Sequence, residues 1–217
     1  MDKLPFDTTG LQPYEIETFL KTFNALEERF PSKFDNLFDF ELDKYEMVSD
    51  YDSADPTYSI DVSKPDQVVH VSFAKVVSTY VAGKGGRHTM VEYEAFLVAK
   101  LAKDYGHIII KSQSWIERLE NMFVKHPVVN FDDDKEFNRK YFVGALDIPK
   151  AQSMVSEDFR KAVADLGDTD FIIEIKGDQL VISDKEPIDA DRVVFFADFA
   201  HKIAALSHGR VSSPASF

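Results

Sequence analysis

The chain is 217 residues long and 44% hydrophobic, and its 38 acidic against 25 basic residues give a formal net charge of −13. That field repels phosphate backbones and anionic headgroups, which argues against nucleic acid as a partner. The complete lack of cysteine removes disulfides, thiolate nucleophiles and sulfur-ligated metal clusters and fits a reducing, cytoplasmic compartment.

In chain order, the first element predicted is an amphipathic helix over Pro13 to Phe30. Ile16, Phe19, Leu20, Phe23, Leu26 and Phe30 fall at helical spacing, Pro13 suits the first helical position and Pro31 stops the helix. Its apolar stripe is expected to cover one face of a sheet. Phe38 to Val48 and Thr57 to Val62 read as two short strands around the acidic loop Ser49 to Pro56. Val68 to Val81 and Thr89 to Val98 are rich in β-branched and aromatic residues, and between them lies Gly83-Lys84-Gly85-Gly86-Arg87. A phosphate-cradling loop needs the spacing G-x-x-x-x-G-K-[ST] and a helix immediately after it. Here a strand follows, so the glycines are expected to reverse a long hairpin, whose flanking runs exceed the usual strand length of about 5 to 6 residues and are expected to bulge or bend.

His107 to Lys111 adds a short strand. Ser114-Trp115-Ile116-Glu117 has the pattern of a capping box, predicting a helix that buries Trp115, Leu119, Met122 and Phe123 and ends before Pro127. Val128 to Phe131 is a short β candidate, Asp132 to Lys140 a charged turn or helical turn, and Tyr141 to Leu146 a strand. A helix is predicted over Ser156 to Leu166, closed by Gly167. Gly177-Asp178 then joins Phe171–Lys176 to Gln179–Ser183 as a tight hairpin, and a last amphipathic helix spans Ala190 to Ser207. Residues 210–217 read as a disordered tail.

No motif implies a cofactor or a bound metal. Asp132-Asp133-Asp134 with Glu136 is the most metal-like run, but the sixth and twelfth places of a calcium loop counted from Asp132 hold Phe137 and Val143 instead of glycine and glutamate. The six histidines show no i, i+4 pair and no H-E-x-x-H helix, so the spacing does not support zinc, although three of them can still converge in space. There is no G-x-S-x-G elbow for a serine nucleophile.

The order of features from Phe38 to Ser183 resembles a bacterial family of uncharacterised domains usually found behind a pair of N-terminal transmembrane helices. The matching places are Phe38–Tyr51, Val68–Val81, Gly83–His88, Val91–Lys100, Glu136-Phe137-Asn138-Arg139-Lys140-Tyr141-Phe142-Val143, Ser156–Leu166 and Phe171–Ser183. The sequence departs from the pattern in having no transmembrane pair and no glycine just after Phe96. The resemblance implies a soluble domain of unknown activity, membrane-associated only through a tether outside this chain, and it brings no catalytic residues.

The sequence therefore predicts an α+β protein, one domain over residues 1–209, with a mostly antiparallel curved sheet, a long central hairpin and covering N-terminal, middle and C-terminal amphipathic helices. No segment is apolar enough for direct membrane insertion, which takes roughly 18 residues or more. The absence of a catalytic constellation favours a non-enzymatic protein-interaction or ligand-binding module over an enzyme, with a protein partner that prefers an acidic surface. The alternative is an enzyme or small-ligand binder whose site forms only in three dimensions from histidines and carboxylates, with His107, Asp132 and Glu136 as ligand candidates. A third reading pairs the hairpin edge with a second copy to make a homodimer.

Overall fold

The computed structural model describes residue 6 and residues 8–35, 40–82, 85–112, 126–167 and 170–209. Among them are eight strands and five α-helices, and the strand pairings are antiparallel, an α+β architecture. No helix among the described residues is long and apolar enough to cross a membrane. The chain divides into two compact units, Met1–Leu97 with Glu186–Asp198 and Val98–Lys185 with Phe199–Phe217.

In the first unit, helix α1 (Pro13–Arg29) starts where Pro13 predicts. The Gln12 amide donates to Glu15 Oε2 at 2.6 Å, satisfying one of the donors that a helix start leaves open, and the helix stops one residue before Pro31. Strands β1 (Lys33–Phe34), β2 (Ser53–Asp61), β3 (Val69–Ala82) and β4 (Gly86–Lys100) follow in that spatial order, β4 running on into the second unit. The stripe of α1 docks on the sheet through two rings, with Phe23 stacked on Phe34 of β1 at 4.7 Å. Phe19 stacks on Phe73 of β3 at 5.1 Å and meets Tyr58 of β2 and Tyr93 of β4 edge-on at 5.5 and 5.3 Å. This is the phenylalanine-dense packing the composition foreshadows, and edge-to-face geometry fixes the helix angle as well as burying area.

The glycine-rich segment does reverse a hairpin. Gly83 and Lys84 lie outside the described residues, Gly85 takes φ +80°, where a side chain would be strained, and β4 begins at Gly86 with no helix after it. Residues 42–48 differ from the expected strand, forming two 3-10 turns, Leu42–Lys44 and Glu46–Val48, with Leu42, Tyr45, Met47 and Val48 all buried. The spacing from Leu42 to Tyr45 is the three-residue repeat of a 3-10 turn and not the two-residue alternation of a half-buried strand. The expected loop through Pro56 is in turn half strand, because β2 takes in Pro56 where its register against β3 shifts, a bulge that needs no amide hydrogen. The expected helix over Ser114 to Phe123 and the expected tail lie outside the described residues.

In the second unit, β5 (His107–Ser112) lies between β6 (Tyr141–Ala145) and β7 (Ile172–Lys176), and β7 turns at Gly177 into β8 (Gln179–Ser183). Helices α2 (Lys135–Lys140), α3 (Ile148–Met154) and α4 (Glu157–Ala164) are each capped by a side chain that accepts an amide hydrogen, from Asp134, Asp147 and Ser156 respectively. Helix α3 escapes the sequence reading because it is short and offers only two buried positions, Ala151 and Met154. Helix α5 (Ala190–Ser207), whose residues from Phe199 on belong to this unit, buries Phe196, Phe199 and Ile203 of the expected stripe and leaves Leu206 half-buried.

Register gives the sheet of the second unit two unlike faces. Ile108 lies opposite Ala145 and Ile175, and Ile110 opposite Val143 and Ile173, with Leu180 and Ile182 next in line. These positions are all aliphatic and buried, and the face gives way to Ser112 and Tyr141 only at its end. The alternate positions carry His107, Ile109, Lys111, Phe142, Gly144, Glu174 and Val181, with the exposed Lys176 opposite His107 at the end of the ladder, so the opposite face holds four titratable side chains, of which His107, Lys111 and Glu174 are shielded from solvent.

Residues 126–129 run along β6 as an added ladder, with the Val129 amide donating to Val143 O at 2.8 Å and the Ala145 amide to Pro127 O at 3.0 Å. They lie close because position 144 is glycine. A Cβ there would stand 2.8 Å from Phe142 Cε1 and 3.0 Å from His126 Cβ. Gly144→Ala is therefore expected to overpack this edge and lower stability by about 1–3 kcal/mol. Urea denaturation of the variant checks this, and an unchanged midpoint would contradict it.

Candidate functional site

The polar face of the second unit converges on His107. Its Nε2 lies 2.7 Å from Glu174 Oε1, and its Nδ1 lies 3.1 Å from Nε2 of His126. Each position follows from local sequence. His107 opens β5 directly after Gly106, which turns at φ +77°, and its carbonyl accepts the Leu146 amide at 3.2 Å. Glu174 sits opposite Ile109, one pleat further along the same face. His126 begins the ladder along β6, admitted by Gly144.

The site is closed. Glu174 is fully buried, His126 is 5% exposed and the His107 side chain 12%. An ionised carboxylate only accepts hydrogen bonds, so Glu174 fixes Nε2 of His107 as a donor. In the neutral ring the lone pair on Nδ1 is then directed at His126, whose Nε2 hydrogen it accepts. The two rings are perpendicular, at 89° and 4.6 Å between centroids, so the nitrogens meet without the rings stacking. The arrangement can hold a proton between two imidazoles, or it can hold in place of that proton a cation with affinity for nitrogen.

Lys111 lies four residues after His107 on the same face of β5 and is also fully buried. Burial first, and repulsion from Lys185 second, push its ammonium down to about 7.

Of the three residues singled out from sequence, only His107 belongs to this centre. Asp132 is exposed in the turn before α2. Glu136 is exposed on α2, where its ion pair with Lys140 at 3.0 Å holds its carboxyl below the usual range. Neither makes a hydrogen bond or ion pair with His107 among the described residues. The acidic run has a structural use instead. Arg160 donates from Nη2 to Asp133 at 2.6 Å and from Nε to Asp134 at 3.1 Å while lying over the Phe131 ring, and Asp134 also accepts the Phe137 amide hydrogen. Glu174 and His126 were both missed by reading the sequence. Glu174 carries a signal, since a lone acid inside Phe171-Ile172-Ile173-Glu174-Ile175 has no solvent face to occupy. His126 carries none, because its role depends on a ladder between segments distant in sequence.

No family model matches the chain, and neither does any curated protein or solved structure. The chemistry of the site therefore rests on its own side chains, and Lys111 offers the simplest test of their environment. Because its folded value lies below the ordinary 10.5, the unfolded chain binds more protons between about pH 7 and that value, and stability should climb with pH across this window. Lys111→Met should flatten the climb. Urea midpoints of both proteins at pH 7 and pH 9.5 check this, and parallel pH dependence in the two would refute it.

Proposed function

We propose that the protein is a binding module whose centre, in the second unit, takes a divalent transition metal through Nδ1 of His107 and Nε2 of His126. The observation that carries this reading is the 3.1 Å approach of those two nitrogens while the other nitrogen of His107 is tied to the buried carboxylate of Glu174. Two nitrogens on one tetrahedral zinc, at about 2.0–2.1 Å each, lie about 3.3 Å apart, so a small opening of the pair accommodates the ion. Glu174 has the place of the outer carboxylate that orients a ligating imidazole and raises its basicity. Two protein nitrogens leave coordination positions for water or an exchangeable ligand, which suits binding more than a closed structural site. The cytoplasm as compartment, and a protein instead of a nucleic acid as any macromolecular partner, belong to the same reading and draw on the absent cysteine and the charge of −13. The resemblance to membrane-tethered bacterial domains is part of the proposal as a setting and assigns no residue a role.

A second reading takes the Glu174–His107–His126 line as a proton relay, favoured by its unbroken hydrogen bonds and low exposure. Calorimetric titration of chelator-treated protein with zinc and with cobalt separates the two. The metal reading expects saturable 1:1 binding that weakens in acid, because protons compete with the metal for imidazole nitrogen. His107→Ala and His126→Ala should each weaken it tenfold or more, and Glu174→Gln about 10–100-fold. Absence of saturable heat with both metals, or binding that survives the double histidine variant, would rule the metal out and leave the relay.

A further inference from the structure

The first unit carries a cleft that the histidine centre does not touch. It has a volume of about 290 Å³, at the small end of ligand-sized cavities, and its lining comes from α1, from Met90 to Tyr93 of β4, and from Pro187 and Ile188. Its base is the Phe19 ring with Tyr93 packed edge-on against it. Around it stand apolar groups left open to solvent. Tyr14 is 65% exposed, Val91 48% and Met90 43%, placing three of the large exposed apolar side chains of the described chain at one cleft.

Among the described residues, the charges in the lining are negative: Glu15 and Glu92 contribute carboxylates, and no described lysine, arginine or histidine lines the cleft. Glu15 takes its hydrogen bonds from neutral donors, the Gln12 amide at 2.6 Å and the Tyr14 hydroxyl at 3.2 Å, and not from a cation. Glu92 makes no ion pair among the described residues. The field of both acids is felt by the phenols around them. The hydrogen bond and charge of Glu15, with Glu92 adding to them, raise Tyr14 above the usual range, and Tyr93 is raised by burial first and by Glu15 next. Aromatic faces and two uncompensated carboxylates around an apolar floor are complementary to a cation with a greasy body, and to neither an anion nor a metal ion that demands several oxygen ligands.

We propose that this cleft binds a small organic ammonium ion carrying an apolar group. The apolar group lies on Phe19 and Tyr93, and the charge sits among Tyr14, Glu15 and Glu92. The proposal is independent of the histidine centre, and chelator in the buffer keeps the two apart experimentally.

Ligand-observed NMR and calorimetry with benzyltrimethylammonium, against benzyl alcohol and phenylacetate, provide the test. Saturable binding of the cation is expected, at least tenfold tighter than either control and weakening as salt is raised from 0.05 to 0.5 M. Glu92→Gln should weaken it fivefold or more, as should Tyr14→Leu. Neither side chain is buried in the core, the capping bond from the Gln12 amide to Glu15 remains in both variants, and circular dichroism checks that they fold. Equal binding of benzyl alcohol, or a Glu92→Gln variant with unchanged affinity, would overturn the proposal. So would binding of a lysine-containing peptide without binding of the free cation, which would move the occupant to a protein partner.

Discussion

A one-residue slip of β5 against β7 would bring His107, Ile109 and Lys111 to the face that now holds Ile108 and Ile110, and the second unit could not survive it. Ile173, Ile175, Leu180 and Ile182 would then pack against a histidine and an ammonium group. The side-chain period of a strand is two, so register alone separates the aliphatic layer from the titratable one. The three consecutive isoleucines from 108 to 110 do not specify that choice, since either face of such a run is apolar. It is the flanking His107 and Lys111 with Glu174 on the neighbouring strand that make the two registers unequal, because only one of them groups the three polar side chains on a common face. Burying these groups costs stability, and in return it removes the ambiguity of an all-aliphatic strand.

The same desolvation gives the histidine centre its chemical character. In water, a carboxylate 2.7 Å from an imidazole competes with solvent for that hydrogen. Buried as fully as Glu174 is, the carboxylate has few alternatives and holds the His107 ring in one orientation. A ring fixed at one nitrogen presents the other in a fixed direction, and His126 reaches it only because Gly144 has no side chain. Four residues from four separate stretches of chain thus act together, although no two of them are linked by a recognisable spacing in sequence.

That separation explains what could be read beforehand. Elements with a strong local signature were legible: the helix begun by Pro13 and ended by Pro31, the hairpins at Gly85 and Gly177, and the capped helix at Ser156. Residues 42–48 were misread because their apolar content resembles a strand, while the three-residue step between buried Leu42 and Tyr45 belongs to 3-10 turns. At the site, His107 was legible as a histidine at a strand start, but the acids chosen to accompany it were the conspicuous ones. Asp132 and Glu136 lie in a charged run whose neighbours Asp133 and Asp134 clamp Arg160, and abundance of acid there marks solvent and a helix cap. The informative acid was the isolated one, Glu174, in a strand with no solvent-facing side.

The two candidate sites also invert each other's physics, which is why they suit different ligands. At the cleft beside α1 the two acids are half-buried and the cleft is open to solvent, so Glu15 and Glu92 attract by field and the aromatic faces supply contact. Such a site discriminates by sign of charge and by shape, with modest cost for an imperfect ligand. At His107 and His126 water is largely excluded and the donor atoms are aimed, so an ion must match both direction and preference for nitrogen or leave buried groups poorly satisfied. An exposed acidic surface with aromatic contact is a recognition device, whereas a buried nitrogen pair backed by a carboxylate is a coordination device. The chain's −13 charge makes the first easy to supply almost anywhere, while the second required one glycine, one strand register and one acid in an otherwise aliphatic strand.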